Sequence, residues 1–442
     1  MWYEKKTNLA LIESLKQFLL VEVVPLEYKQ STSDFTRNRK LPFPRLVTFM
    51  LKALRKKIGL EINSFYERLV SIALEEEQIS LSSSAFCQGR QKLKPEFFRD
   101  GLYHLVKEYY TDNDGNIKNW HGKRLLAVDG SIIELPHTQA LEQEYGTYAN
   151  QHHTLRVNAK ISTLYDVLNE IVLDGLLGKY KDGERDLALL HLSHTKQNDL
   201  LLYDRGYASF DFIFEHQQRA TDFLMRVKVG WSNQVKTFVA SGLDSQQIDL
   251  RVAKNEPIKD KLYNHQTVIS VRFIRVILPT GEIEVLITSL LDEMEYPSSI
   301  FKWLYFQRWK IETRYDILKN VLRLENFSGL SETVILQDFY IILLIANIEA
   351  ILRDEVNQEI KKIKVGCQYE YKVNISACVS LLRDKIVDLL LGQEPQKTLN
   401  YLSKVFANHL EPIRPDRSFI RKNDHYRTKK KPKMFKNRKV NS

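Results

Sequence analysis

A chain of 442 residues with 43% hydrophobic content can bury a large core and is long enough for two or three domains. Its three cysteines, Cys87, Cys367 and Cys378, lie far apart; the spacing excludes a zinc-ligand pattern and a disulfide framework and points to a reducing cytoplasm. The net charge of +10 is not spread evenly: twelve basic residues and only Asp416 and Asp424 lie from Arg414 onward, so residues 1–413 sum to zero.

That tail, residues 414–442, has the composition of a flexible polyanion-binding arm, with a merely solubilising tail as the plainer alternative. The start, MWYEKKTNLALIESLKQFLLVEVV, contains Glu13 and Glu22 and no small-residue cleavage site, which argues against a signal peptide.

Hydrophobic periodicity predicts helices over 9–21, 44–58, 62–77 and 95–110, with Pro42 and Pro44 punctuating a basic segment. SLSSSAFCQGRQKLKPEFF predicts a Ser-capped helix followed by Arg90, Lys92 and Lys94, a basic face suited to phosphate contact, although such faces are more often plain surface. TDNDGNIKNWHGK (111–123) is a polar linker; its Asp112, Asp114 and Asn116 resemble a calcium loop, but the glycine is one place early and no Glu closes it.

From Arg124 the pattern changes to strands and short helices. LLAVDGSIIELP predicts a buried strand ending at Asp129-Gly130, and residues 158–177 two strands joined by a turn near Asp166–Asn169. GERDLALLHLSHT is helical, DLLLYDRGYASFDFIFEHQ is a strand ending at Asp204 followed by a helix, and DFLMRVKVG is another strand. Residues 231–285 are β-rich, with a hairpin across Pro279–Glu282. The run SETVILQDFYIILLIANIEAIL is apolar, but Asp338 and Glu349 leave the uncharged stretch too short for a membrane span, so it predicts a central helix of a helical region continuing to residue 413.

The stretch Trp303–Gly329 predicts one helix on which Tyr305, Arg308, Glu312 and Lys319 share a narrow sector beside an apolar stripe. Alone, it reads equally well as a solvated face with an Arg308–Glu312 pair. Asp129 and Asp204 each close an apolar run at the position where α/β sheets place their sites, although each alone is also a common turn former. Two strand aspartates and a helix glutamate can converge on two divalent ions, Mg²⁺ or Mn²⁺, and such a pair suits phosphodiester chemistry. His152 and His153 beside the first strand are better explained by local packing than by metal ligation.

On LLAVDGS, LLLYDRGY and YFQRWKIETRYDILK, the chain resembles the DDE transposases of bacterial insertion sequences, in the "IS-four" group with the Tyr-Arg-Glu-Lys signature. Y-x2-R-x3-E-x6-K is met by Tyr305, Arg308, Glu312 and Lys319. SSSAFCQGRQKL also resembles the segment preceding the catalytic domain in that group, and the likeness covers about residues 35–350.

The resemblance implies an α/β ribonuclease H-like catalytic core over 116–330 with a β-rich insertion at about 229–285. A helical DNA-binding domain at 1–115 and a helical C-terminal region at 331–413 would flank it. It implies Asp129, Asp204 and Glu312 as catalytic metal ligands. Tyr305, Arg308 and Lys319 would contact DNA phosphates, and Arg226 and Lys228 are further candidates. It implies cut-and-paste transposition on terminal inverted repeats, usually through a DNA hairpin on the element end. The partners would be double-stranded DNA, as transposon ends and target, and a second copy of the chain in a homodimer on DNA, with no membrane. The location would be the bacterial cytoplasm, at the nucleoid. A flipped base stacks on an aromatic in that mechanism; Trp231 is a candidate, with core packing the better explanation. Two alternatives remain: a non-cleaving DNA-binding descendant of a transposase, and a ribonuclease H-like nuclease.

Overall fold

A computed structural model of the chain describes residues 8–37, 39–75, 80–111, 117–149, 155–252, 258, 261–278 and 280–414. The expectations for Asp112–Asn116, for His152 and His153, and for the basic tail beyond Arg414 fall outside those residues. The chain forms two compact units: the first takes in 1–117, 133–158 and 316–442, the second 118–132 and 159–315.

The first unit opens with five helices: α1 (Asn8–Leu19), α2 (Phe43–Leu51), α3 (Ile58–Ser71), α4 (Ser83–Arg90) and α5 (Glu96–Tyr110). Two are shorter than their periodicity predicts. The chain leaves α2 at Ala53 and α3 at Ala73, both in the left-handed region at φ 47° and 57°. Apolar period alone does not reveal such stops, because alanine is a helix former. The expected cap is present: the Ser82 hydroxyl accepts from the Ala85 N–H at 3.1 Å.

The expected basic face fails at Arg90. Its side chain is 2% exposed; it donates to Gln337 Oε1 at 2.9 Å and to Asp338 Oδ1 at 3.0 Å. It is a buried ion-pair partner, closed to phosphate.

Next come β1 (Leu125–Glu134), α6 (Gln139–Tyr145), β2 (Thr147–Ala149), β3 (Leu155–Asp166), β4 (Ile171–Lys179) and α7 (Glu184–His191). They are followed by β5 (Leu200–Tyr203), α8 (Phe210–Gln218), β6 (Asp222–Val227), α9 (Asn233–Ser241) and β7 (Ser245–Arg251). Then come β8 (Val268–Ile277), β9 (Ile283–Thr288), α10 (Phe301–Phe306) and α11 (Trp309–Asp316). The result is a mixed sheet that runs β3-β1-β5-β6-β9-β8-β7, with β4 also paired to β3. β1, β5 and β6 are parallel; β3–β4, β6–β9, β9–β8 and β8–β7 are antiparallel. Short β2 pairs with the opening residues of β3, both within the first unit.

The runs LLAV and LLLY are almost wholly buried, as central parallel strands covered on both faces must be. The turn after β3 is tied by Asp166, whose Oδ1 accepts from Leu168 N–H at 2.9 Å and Asn169 N–H at 3.0 Å. The strands after β6 do not form a separate sheet: β9 pairs directly with β6. Helix α9 lies among them. Its Ser232 cap and its Gly242 stop, at φ 74°, were legible signals masked by the β-branched residues around them.

The rest of the first unit is α12 (Glu332–Ile363), β10 (Glu370–Val373), α13 (Ile375–Leu391), α14 (Pro395–Phe406) and β11 (Leu410–Ile413). α12 is long and apolar enough to cross a membrane, but its most apolar stretch is 89% buried. It packs against α2, α5, α13 and α14 and carries an internal Arg353–Glu349 ion pair at 2.6 Å. It is the core helix of the first unit.

Candidate active site

Asp129 and Asp204 occupy equivalent places on neighbouring parallel strands. The β1–β5 register pairs Leu125 with Leu200, Leu126 with Leu201 and Ala127 with Leu202. The same offset relates Asp129 to Asp204. Leu125, Ala127 and Asp129 alternate onto one face, as do Leu200, Leu202 and Asp204. Asp129 does not end its strand, as its apolar run predicted: β1 continues to Glu134. What ends there is the pairing with β5, because that strand stops at Tyr203. Both aspartates therefore stand where two strands part company, at the carboxyl end of the parallel ladder.

The third carboxylate comes from the stretch expected to be one helix. It is three segments. Between α10 and α11 the amides of Gln307, Arg308, Lys310 and Ile311 all bond to the carbonyl three residues back, a tightened turn. After Asp316 a π-helical turn spans Ile317–Val321. Tyr305 therefore lies on α10, Arg308 in the turn, Glu312 on α11 and Lys319 on the π turn, which belongs to the first unit. A single 100° wheel does not describe them.

Around Asp204 and Glu312 the polar contacts interlock. The Tyr305 hydroxyl donates to Asp204 Oδ1 at 3.4 Å, and Arg226 Nη2 lies 3.3 Å from the same oxygen. Arg226 also pairs with Glu284. Arg308 Nη2 donates to Glu312 Oε1 at 3.0 Å. Its guanidinium carbon lies 4.9 Å from the Trp309 ring centre and 5.8 Å from that of Tyr305. At 4% exposure, burial works against the Arg308 charge; Tyr305, Glu312, Asp204 and Asp129 together outweigh it and hold the group above its ordinary range.

Asp129 shows the opposite strain. Burial pushes its carboxyl up to about 6; Glu312 and Glu184 add to the rise, while the Gly130 N–H and Arg308 oppose it. The Gly130 N–H donates to Asp129 Oδ1 at 2.8 Å. A half-buried carboxylate raised by two others is short of positive charge, and hard oxygen donors of this kind suit Mg²⁺ or Mn²⁺. Among the described residues no three His, Cys, Asp or Glu side chains close around one point as ligands of a single ion. A pair of divalent ions would not require that, since each would take its own subset of carboxylates. The donor chemistry of these carboxylates is compatible with divalent cations.

Arg226 lies on β6 against Asp204, while Lys228 is an exposed residue just past that strand. The Trp231 indole N–H is bonded to the Ala208 carbonyl at 3.2 Å, which ties the ring to the loop after β5. A more exposed aromatic surface lies nearby in the sequence of the Tyr-Arg-Glu-Lys stretch. Trp303, Phe306 and Trp309 are 50%, 66% and 41% exposed and line a cleft of about 600 Å³ together with Arg226, Tyr305 and Arg308. The signal was in the sequence, as three aromatics at steps of three residues inside the Tyr-Arg-Glu-Lys stretch.

The family described as "Transposase DDE domain" matches residues 120–348, just over half of the chain. The chain is 23% identical over 317 residues to the transposase InsG for insertion sequence element IS4 of Escherichia coli (strain K12), covering 71% of this chain and 69% of that protein. It is 26% identical over 215 residues to the putative transposase InsZ of the same strain, covering 46% of this chain and 68% of that one. A transposase for insertion sequence element IS231F of Bacillus thuringiensis subsp. israelensis matches at 27% over 116 residues, 26% of this chain and 24% of that protein. Among solved structures, the cryo-EM structure of a piggyBac transposase synaptic complex with hairpin DNA aligns with a TM-score of 0.42 and 10% identity, over 94% of this chain and 85% of that one.

Proposed function

The chain belongs to the DDE transposases of the IS4 family, and from that membership we propose that it is a cut-and-paste enzyme acting on the terminal inverted repeats of its own element. The observation that supports the reading is that Asp129 and Asp204 share one register on neighbouring parallel strands, while Arg308, which feels the charge of both, is bonded to Glu312 at 3.0 Å. The strand order β4-β3-β1-β5-β6, with parallel β1, β5 and β6, supports a ribonuclease H-like core.

Asp129, Asp204 and Glu312 would hold two Mg²⁺ or Mn²⁺ ions. Bound there, the ions activate the attacking oxygen and stabilise the leaving oxygen of an in-line displacement. The chain's own groups do the rest. Arg226 and Tyr305 fix one oxygen of Asp204, and the Gly130 N–H fixes one oxygen of Asp129. Arg308, backed by two aromatic rings and paired with Glu312, would offer a planar donor to a phosphate once that pairing is exchanged for the DNA; Lys228, exposed, would contact phosphate directly, and Lys319 would be a further phosphate contact. First-strand nicking would free a 3′-hydroxyl that attacks the opposite strand and leaves a hairpin on the element end. A base turned out of that tight loop would stack in the cleft of Trp303, Phe306 and Trp309.

The helices of 1–115 would engage the terminal repeats, residues 331–413 would support a homodimer that pairs two ends, and the basic tail would add affinity that falls with salt. The test is nicking of terminal-repeat DNA in Mg²⁺. Asp129→Ala, Asp204→Ala and Glu312→Ala should each abolish it while leaving the band shift intact. A wild-type band shift with no nicking in Mg²⁺ or Mn²⁺ would instead identify a DNA-binding protein that no longer cuts.

A further inference from the structure

Behind the carboxylates lies a set of buried hydroxyls that the reaction as proposed does not use. Tyr315 sits three residues after Glu312 on α11, buried, with its hydroxyl donating to the main-chain carbonyl of Asp129 at 2.5 Å. The Thr163 hydroxyl on β3 donates in turn to the Tyr315 oxygen at 3.0 Å, which spends the tyrosine's acceptor side and aims its proton at Asp129. A second hydroxyl, Ser162, reaches the same carbonyl from 3.5 Å. Ser162 is itself held by His191 Nε2 at 2.9 Å, and His191 Nδ1 meets Asp174 at 2.6 Å.

All of these groups belong to the second unit. Sequence alternation places Asp129 on its strand but does not fix its distance from a helix that arrives 183 residues later, a separation read directly from the two positions. Helix α11 enters through the tightened turn at Gln307–Arg308 and has no strand ladder to register it. The Tyr315 hydroxyl supplies a direct bond between the helix of Glu312 and the backbone of Asp129.

We propose that Tyr315 is a positioning residue of the metal centre: its hydroxyl, oriented by Thr163, sets the spacing of Glu312 from Asp129 and so the affinity of the site for divalent cations. This rests on the reading of Asp129 and Glu312 as ligands. Tyr315→Phe removes one oxygen and leaves the ring in the core.

The experiment measures Mn²⁺ binding to the full-length protein by electron paramagnetic resonance, alongside the Mg²⁺ dependence of end nicking. Wild type, Tyr315→Phe, Thr163→Val and Asp129→Ala are compared. Loss of the bond should weaken Mn²⁺ binding about tenfold and raise the half-saturating Mg²⁺ by a similar factor, with the maximal rate recovered at high Mg²⁺. Thr163→Val should move both in the same direction by less, and it keeps the inference open to refutation if Tyr315→Phe does not fold. Wild-type metal dependence in both folded variants, with Asp129→Ala defective, overturns the positioning role alone. No carboxylate-dependent Mn²⁺ signal in the wild type overturns the ligand assignment beneath it.

Discussion

Arg308 donates to Glu312 across 3.0 Å, so a proposed metal ligand is engaged by a cation of its own chain. If Glu312 holds a divalent ion as proposed, the guanidinium and the ion would compete for one carboxylate. Arg308→Ala should therefore tighten Mn²⁺ binding in the absence of DNA, by about tenfold for one released charge-assisted bond. The same change should slow end nicking about a hundredfold, because a phosphate donor is lost. Calorimetric Mn²⁺ titration and single-turnover nicking check the two arms; Arg308→Lys should not restore the rate, since a point charge lacks the planar fork.

On the proposed reading, changes in the aromatic cleft should separate nicking from hairpin formation. Trp303→Ala, Phe306→Ala and Trp309→Ala should retain first-strand nicking and lose about tenfold in hairpin yield at the most sensitive position, the scale of one stacked base. Denaturing gels resolve the two products. Trp231→Ala should behave differently: its indole N–H is already spent on Ala208, so the change should lower thermal stability and leave the nick-to-hairpin ratio unaltered.

Acid should weaken the second unit through His216. Burial, with a smaller push from Arg219, drives this imidazole down from 6.5 to about 3. Its Nδ1 meets the Thr221 hydroxyl at 2.8 Å, and its Nε2 is buried without a partner among the described residues. Between those two pH values the unfolded chain takes up a proton that the folded chain refuses. Stability is thus full above pH 6.5 and falls as pH drops toward 3, by up to about 1.4 kcal/mol per pH unit. Urea midpoints from pH 7 to pH 4 should show the slope, and His216→Phe should flatten it.

Arg90 offers a stability test in the first unit. Arg90→Met keeps most of the volume but leaves the buried Gln337 Oε1 without its donor and Asp338 without its cation, although Ser328 still donates to that carboxylate, and should cost about 3 kcal/mol in urea unfolding. Lys92→Met, on a half-exposed side chain paired with Asp34, should cost under about 1 kcal/mol.

What could be read from the sequence was local. As candidates, Asp129 and Asp204 stand out because each closes an apolar run on a buried strand, and Glu312 because it stands at a fixed count from Tyr305 and Arg308. Three-dimensional partners were not visible. Arg90 looks like a surface cation until Gln337 and Asp338 arrive from far along the chain. The break at Gln307 and the π turn at Ile317–Val321 have no proline or glycine to announce them, so an unbroken period concealed three segments. The bond from Tyr315 to Asp129 joins residues with no sequence relation at all.

Because Asp129 and Asp204 share one strand register, the length of chain between them is irrelevant to their separation. Residues can be added to or removed from the excursion beyond β1 without moving either side chain. A single residue inserted between Leu125 and Asp129, by contrast, would turn that aspartate to the opposite side of the sheet. In comparing this chain with distant relatives, the informative count is from strand start to acid, and the gap from acid to acid says nothing about geometry.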